Sequence, residues 1–160
     1  MSNLYIIMGP AGCGKTSVAT ALCHRTGWTM IEADDHHPIE NVEKQRQKIP
    51  LTDDDRVLWL DRLIGAINDT SDDSIVLACS ALTPYVQERL RNEVDRARHW
   101  ILIDVPVDVL RDRLVARTDH FMPVELLESQ IASLQPPPGA RYIRGDQPID
   151  KICRDILQTR

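Results

Sequence analysis

Apolar positions in this chain follow two periods that alternate along its length. Leu4 to Met8 is a short apolar run closed by glycine, and beyond a Gly-rich stretch Val18 and Leu22 recur at i, i+4, which predicts strand, loop and helix in succession. Trp28 to Ala33 predicts a second strand running into acidic residues, and Asp34 to Asp54 is too hydrophilic for core and is expected to lie over a site. Arg56 to Asn68 carries Val57, Leu60, Leu63, Ile64 and Ile67 at helical spacing. Ser74 to Cys79 is apolar after its first residue, as a strand buried on both faces requires. A helix over Tyr85 to Arg98, a strand over Trp100 to Val105 and a helix over Asp108 to Arg117 follow. Pro123 suits the first turn of a helix over Val124 to Leu134, and Pro136-Pro137-Pro138-Gly139 forbids its continuation. Ala140 to Ile143 predicts a last strand and Ile149 to Leu157 a closing helix.

Strands alternating with helices predict an α/β fold, a parallel sheet of about five strands with helices on both faces and ligands outside the carboxyl ends of the strands. The 160 residues fit a single domain, 1–160. Net charge changes the picture only by exclusion: at −5, nothing suggests a general affinity for nucleic acid or an anionic membrane. No stretch approaches the roughly 18 apolar residues of a membrane span and no basic leader opens the chain, so a cytoplasmic location is expected. Cys13, Cys23, Cys79 and Cys153 lie far apart without CxxC spacing, which argues against a disulfide framework or a zinc site.

Candidate chemistry begins between the first strand and the first helix. Gly9-Pro10-Ala11-Gly12-Cys13-Gly14-Lys15-Thr16 matches GxxxxGK[ST] in the strand-to-helix context that the motif requires. Gly9, Gly12 and Gly14 let the backbone turn so that successive N–H groups converge on phosphate oxygens, and the helix opening at Lys15 adds its positive end. Lys15 is expected on the β- and γ-phosphates and Thr16 on Mg²⁺, so ATP and Mg²⁺ are the implied cofactors. Cys13 lies among the same amides, where a thiolate would be stabilised; a small side chain that simply fits the loop is the plainer reading. With no NKxD-type guanine-reading segment and too little chain for a motor, a kinase for a small-molecule substrate remains.

The rest of the chain resembles one family. Glu32-Ala33-Asp34-Asp35-His36-His37-Pro38, then Asn41 and Lys44, then Pro50-Leu51-Thr52-Asp53-Asp54-Asp55-Arg56 with Trp59-Leu60, resemble the gluconokinase pattern. Ala78-Cys79-Ser80-Ala81-Leu82 resembles the segment ending that family's third strand, and Arg117, His120-Phe121-Met122-Pro123, Leu127 and Ser129-Gln130 resemble its lid. The resemblance runs from about Leu4 to Pro138. It implies a three-layer P-loop kinase fold with a substrate-binding segment at about 34–60 and a small helical lid at about 117–135. It also implies transfer of the ATP γ-phosphoryl group to D-gluconate, giving 6-phospho-D-gluconate, and a homodimer.

Phosphorylating a sugar-acid hydroxyl needs a carboxylate to take its proton and cations to hold the acid and the transferring group. Asp34 is the candidate base, with a role as partner of Mg²⁺ left open beside it. Arg56 is the candidate clamp on the substrate carboxylate; taken alone it reads equally well as an ion pair with Asp53 or Asp54. The resemblance adds His37, Lys44 and His120 as substrate contacts. Arg113 and Arg117, at i, i+4, share a helix face that is ordinarily solvated, but arginines at a lid base reach phosphates in P-loop kinases. Two stretches depart from the family's usual pattern. Gln45-Arg46-Gln47-Lys48 replaces Met and a nearby Gly after Lys44, and Thr83-Pro84-Tyr85-Val86 follows Leu82 where Lys and another basic residue are usual. Alternative readings are therefore a kinase for another small polyol acid and a non-catalytic nucleotide-binding module.

Overall fold

Strand β1 (Asn3–Met8) buries both of its faces, and this sets the layering of the molecule. Leu4, Ile6 and Met8 pack with Leu60, Leu63 and Ile67 of α3 (Asp53–Asn68) and with Val86 and Leu90 of α4 (Pro84–Glu93). Ile7 packs on the other side with Val18 and Leu22 of α1 (Lys15–Thr26), Leu110 and Leu114 of α5 (Val107–Ala116), and Ile152 and Ile156 of α7 (Ile149–Leu157). The computed structural model, which describes residues 1–117 and 123–158, thus has a sheet between two helical layers. Its five strands, completed by β2 (Thr29–Glu32), β3 (Ser74–Ala78), β4 (Ala97–Asp104) and β5 (Arg141–Arg144), are all parallel in the order β2-β3-β1-β4-β5. Among the described residues no helix is long and apolar enough to cross a membrane.

Neighbouring strands β1 and β3 send their outgoing connections to opposite edges of the sheet, to β2 beyond β3 and to β4 beyond β1. Such a reversal opens a crevice at the carboxyl ends of the two strands. The ladder continues into that crevice: Cys79 N–H donates to Ile7 O (3.1 Å) and Gly9 N–H to Ser80 O (3.3 Å). The loops after β1 and β3 therefore start side by side.

Several elements differ from the sequence expectation for identifiable reasons. The helix expected to reach Arg98 stops at Glu93, because Ala97, Arg98 and His99 pair with Asn3, Leu4 and Tyr5 and start β4 three residues earlier than Trp100. Sheet pairing overrides helical spacing there. The second strand stops at Glu32 and Asp34 falls in a 3-10 turn, Ala33–His36. The segment read as too polar for core contains α2 (Ile39–Arg46), with Asn41 and Gln45 buried. The helix after Pro123 divides into a 3-10 turn, Val124–Leu126, and α6 (Leu127–Ser133).

Segment 33–59 is braced by polar contacts rather than by an apolar face. Trp59 Nε1–H donates to Ala33 O at 2.7 Å, and the His37 ring stacks on Trp59 at 4.6 Å between centroids. Thr52 and Asp55 form a capping box at the start of α3, each side chain accepting from the other's backbone N–H. Asp55 also accepts from Lys44 Nζ at 2.8 and 3.0 Å, and its carbonyl accepts from Asn41 Nδ2 at 2.8 Å, so α2 is fastened to α3. The Lys44 ammonium beside Asp55 holds that carboxyl below the usual carboxylate range.

Two expected outcomes test this packing. A Cβ at Gly145 would lie 2.5 Å from methyl groups of both Ile103 and Val105 and 3.3 Å from Cys13 O, so Gly145→Ala forces buried neighbours apart. Urea unfolding should show a loss of about 1–3 kcal/mol, the usual cost of overpacking. His37 is a titration test: burial lowers its pKa, against the pull of Asp34 Oδ1 at 3.7 Å from Nε2, while Arg56 and His36 lower it further. Its ring resonances should titrate with a midpoint below the ordinary 6.5. Since an unfolded His37 takes up its proton first, stability should fall as pH drops through 6.5 towards the depressed native value. A midpoint above 6.5 would mean that the Asp34 charge outweighs burial.

Candidate functional site

The loop after β1 takes backbone conformations that suit glycine. Gly9 and Gly12 have φ of 140° and 86°, and a Cβ on Gly12 would stand 3.1 Å from Leu110 O. Helix α1 then opens at Lys15 with Gly14 at its N-cap and no side-chain cap, which leaves first-turn N–H groups for an anion. Lys15 Nζ donates to Gly9 O (3.0 Å) and Pro10 O (3.2 Å). Cys13 is only 1% exposed and its sulfur occupies the space beside Gly9, so burial favours the reading of a small side chain that fits the loop.

On the far side of the loop lies Arg113. Its Nη1 donates to Gly12 O (3.1 Å) and Cys13 O (3.4 Å), and its Nη2 to Gly145 O (3.2 Å). Arg113 thus braces loop carbonyls, as Lys15 does, and it also lines the smaller cavity described below. Arg117 ends α5 as its C-cap residue and lines both cavities described below.

Glu32, to which the sequence reading assigned no role of its own, contacts the start of α1. Thr16 Oγ1 donates to Glu32 Oε2 at 2.5 Å. Burial pushes the Glu32 carboxyl up, the Thr16 hydrogen bond opposes this, and the nearby Asp34 charge adds to the rise. Its place as the last residue of a strand beside the phosphate loop was the available signal. A hydroxyl and carboxylates at the start of α1 are the hard oxygen donors that Mg²⁺ takes. Among the described residues no cluster of three or more His, Cys, Asp or Glu side chains could cage a metal alone, so a cation held by Thr16 and Glu32 would need further oxygen donors from elsewhere.

One cavity of about 470 Å³ runs from the phosphate loop to segment 34–59. It brings together Lys15, Thr16, Asp34, His37, Arg56 and Arg117. Asp34 is about half exposed, whereas the His37 side chain is nearly buried. Arg56 is mostly buried and pairs with the exposed Asp53 at 3.2 Å, so the ion pair foreseen for it exists and its guanidinium still reaches the cavity wall. Lys44 is not on that wall; the Asp55 carboxylate holds it between α2 and α3. His120 lies outside the described residues. The lid helix α6 meets the loop directly, Gln130 Oε1 accepting from Ala11 N–H at 2.7 Å. A second cavity of about 250 Å³, on the Arg113 side, is lined by Gly12, Gly14, Ser17, Arg117, Gly145 and Ile149.

Known proteins share this arrangement. A family profile described as "AAA domain" matches residues 4–137. A gluconokinase of Gluconobacter oxydans is 42% identical over 98% of this chain and 90% of its own length, and a probable gluconokinase of Xenopus tropicalis is 38% identical over 96% and 89%. The crystal structure of a gluconokinase from Sinorhizobium meliloti superposes with a TM-score of 0.83 at 35% identity, covering 97% of this chain and 89% of that one. Shikimate kinase from Aquifex aeolicus, at 13% identity and a TM-score of 0.62 over 96% and 94%, shares the fold. With a phosphate loop, segment 33–59 and helix α6 around one cavity, and with this similarity over nearly its whole length, the chain belongs to the gluconokinase family of P-loop kinases.

Proposed function

We propose that the protein catalyses phosphorylation of D-gluconate by ATP, giving 6-phospho-D-gluconate and ADP. The observation that carries this reading is the single cavity lined both by Lys15 and Thr16 of the phosphate loop and by Asp34 and Arg56 of segment 33–59, so that donor and acceptor groups share one space. The similarity to gluconokinases over nearly the whole chain supports the choice of acceptor.

The triphosphate lies along the N–H groups from Gly12 to Thr16, with Lys15 on its β- and γ-phosphates. The smaller cavity, between the loop, Arg117 and Gly145, takes the nucleoside end. Arg56 exchanges Asp53 for the carboxylate of the acid, and exposure of Asp53 keeps the cost of releasing it low. Asp34 accepts the proton of the acceptor hydroxyl as its oxygen bonds to the γ-phosphorus and the bond to the bridging oxygen of ADP breaks. Arg117 joins Lys15 in neutralising charge on the transferring group. Thr16 and Glu32 are the residues that would hold Mg²⁺, directly or through water, and the ion supplies further neutralisation of the phosphates. Helix α6, anchored to Ala11 through Gln130, covers the site and keeps out water that would otherwise accept the phosphoryl group.

ADP release measured with ATP and Mg²⁺ against a panel of sugar acids and polyols tests this function. Turnover should depend on gluconate, and Asp34→Asn should lower kcat by about 10²-fold or more, the usual contribution of a general base. Turnover with another acid alone would replace the acceptor and leave the kinase; ATP binding with no turnover on any acceptor would favour a non-catalytic module. Arg56→Lys keeps the charge but loses the fork. It should raise the gluconate KM by about tenfold or more while the ATP KM stays unchanged. An equal rise in both would remove Arg56 from the acceptor end.

A further inference from the structure

Among the described residues two buried side-chain atoms lack a hydrogen-bond partner, and both belong to residues on the wall of the large cavity. One is Oε1 of Gln45, in the last turn of α2, a residue only 8% exposed. The other is the hydroxyl of Thr83, at the N-cap of α4. Each is unusual for its place. Helix α2 turns this glutamine inward, where Pro50, Leu51 and Trp59 line the same cavity. Thr83 has the extended backbone of an N-cap residue, φ −111° and ψ 153°, where a threonine hydroxyl ordinarily accepts a first-turn N–H, yet it makes no capping bond. Buried polar groups without partners are uncommon because their bonds to water are given up for nothing. The two atoms themselves are screened from the cavity, and a side-chain rotation would turn each to face an acceptor that fills it.

We propose that Gln45 and Thr83 are specificity residues that hydrogen-bond hydroxyl groups of the acceptor, so that the site selects polyhydroxylated carboxylic acids over acids with fewer hydroxyls. This rests on reading the large cavity as the acceptor site. The division of labour follows from what each group can donate and accept. Gln45 Oε1 only accepts, so in this orientation of the amide its partner is a hydroxyl rather than a carboxylate. The Thr83 hydroxyl both donates and accepts, and so suits a second hydroxyl in either role. Arg56, on the same wall, has donors only and takes the carboxylate. An acid bearing hydroxyls along its chain satisfies all three together, whereas one without them leaves two buried groups unpaired. A pocket built to bond a hydroxyl rejects the analogue lacking it far more strongly than an apolar pocket rejects an added one.

The test uses Gln45→Met and Thr83→Val, which keep side-chain size and remove the polar atom, singly and together in the full chain. Acceptor KM, ATP KM and kcat are measured with gluconate and with deoxy analogues of it, and melting temperature is read with and without acceptor. Each variant should raise the gluconate KM by about tenfold and leave the ATP KM unchanged. Each should also lose part of the wild type's preference for gluconate over the deoxy acids, and melt at or above the wild-type temperature without acceptor, since a buried orphan is gone. Variants whose acceptor KM and preference match the wild type overturn the proposal, whatever happens to their melting. If the wild type turns over a different acid, the gluconate reading fails, and the same comparison with that acid decides the roles of Gln45 and Thr83. If no acid is turned over or raises the wild-type melting temperature, both fall.

Discussion

A phosphate-binding loop must keep its N–H groups available and its carbonyls satisfied, and most of this molecule is arranged around that requirement. The N–H groups face the cavity at the crevice between β1 and β3, where the start of α1 carries no side-chain cap. The carbonyls are taken from two sides, by Lys15 at Gly9 and Pro10 and by Arg113 at Gly12 and Cys13. Unpaired, such groups would cost about 1–3 kcal/mol each if buried. The loop's shape is therefore held by cations on its carbonyl side; of its amides, Ala11 N–H is paired with Gln130 Oε1 and Cys13 N–H with Pro10 O, and the uncapped first turn of α1 is left for an anion.

The acceptor half of the site is built on a different principle. Its segment has too few apolar residues to make a core, and its order comes from a chain of polar contacts centred on Asp55 and Trp59. This explains why a stretch of such hydrophilic sequence is well structured. Stacked on Trp59 and beside Asp34, His37 links the brace to the Asp34 carboxylate. The half-exposed Asp34 and mostly buried Arg56 then occupy the parts of the wall that the brace leaves open.

Much of the fold was legible because buried parallel strands such as Ile75 to Ala78 read as continuous apolar runs, and because α3 and α7 carry clean helical spacing. What failed was local. Residues 97–99 look helical by composition and are strand because β1 offers them a ladder, a long-range contact that no window of sequence contains. In the site, the phosphate loop was readable as a motif, and Asp34 and Arg56 as residue types within a pattern. Lys44 could not be placed, since a lysine that braces Asp55 and one that binds a substrate carboxylate look alike in sequence. Glu32 drew notice only as part of a resemblance and Gln45 only as a departure from it; their contacts and burial belong to the tertiary structure.

The fork of Arg113 spans chain segments that lie far apart, joining carbonyls of residues 12 and 13 to that of residue 145. Strand β1 likewise lies between β3 and β4, which follow it in the chain only at Ser74–Ala78 and Ala97–Asp104. Because the phosphate loop precedes these strands in the chain, its carbonyl-side brace must wait for β5 and the turn after it. A growing chain would carry the motif long before it could hold a nucleotide in this geometry, and the ability to bind would arrive late and together with the completed sheet.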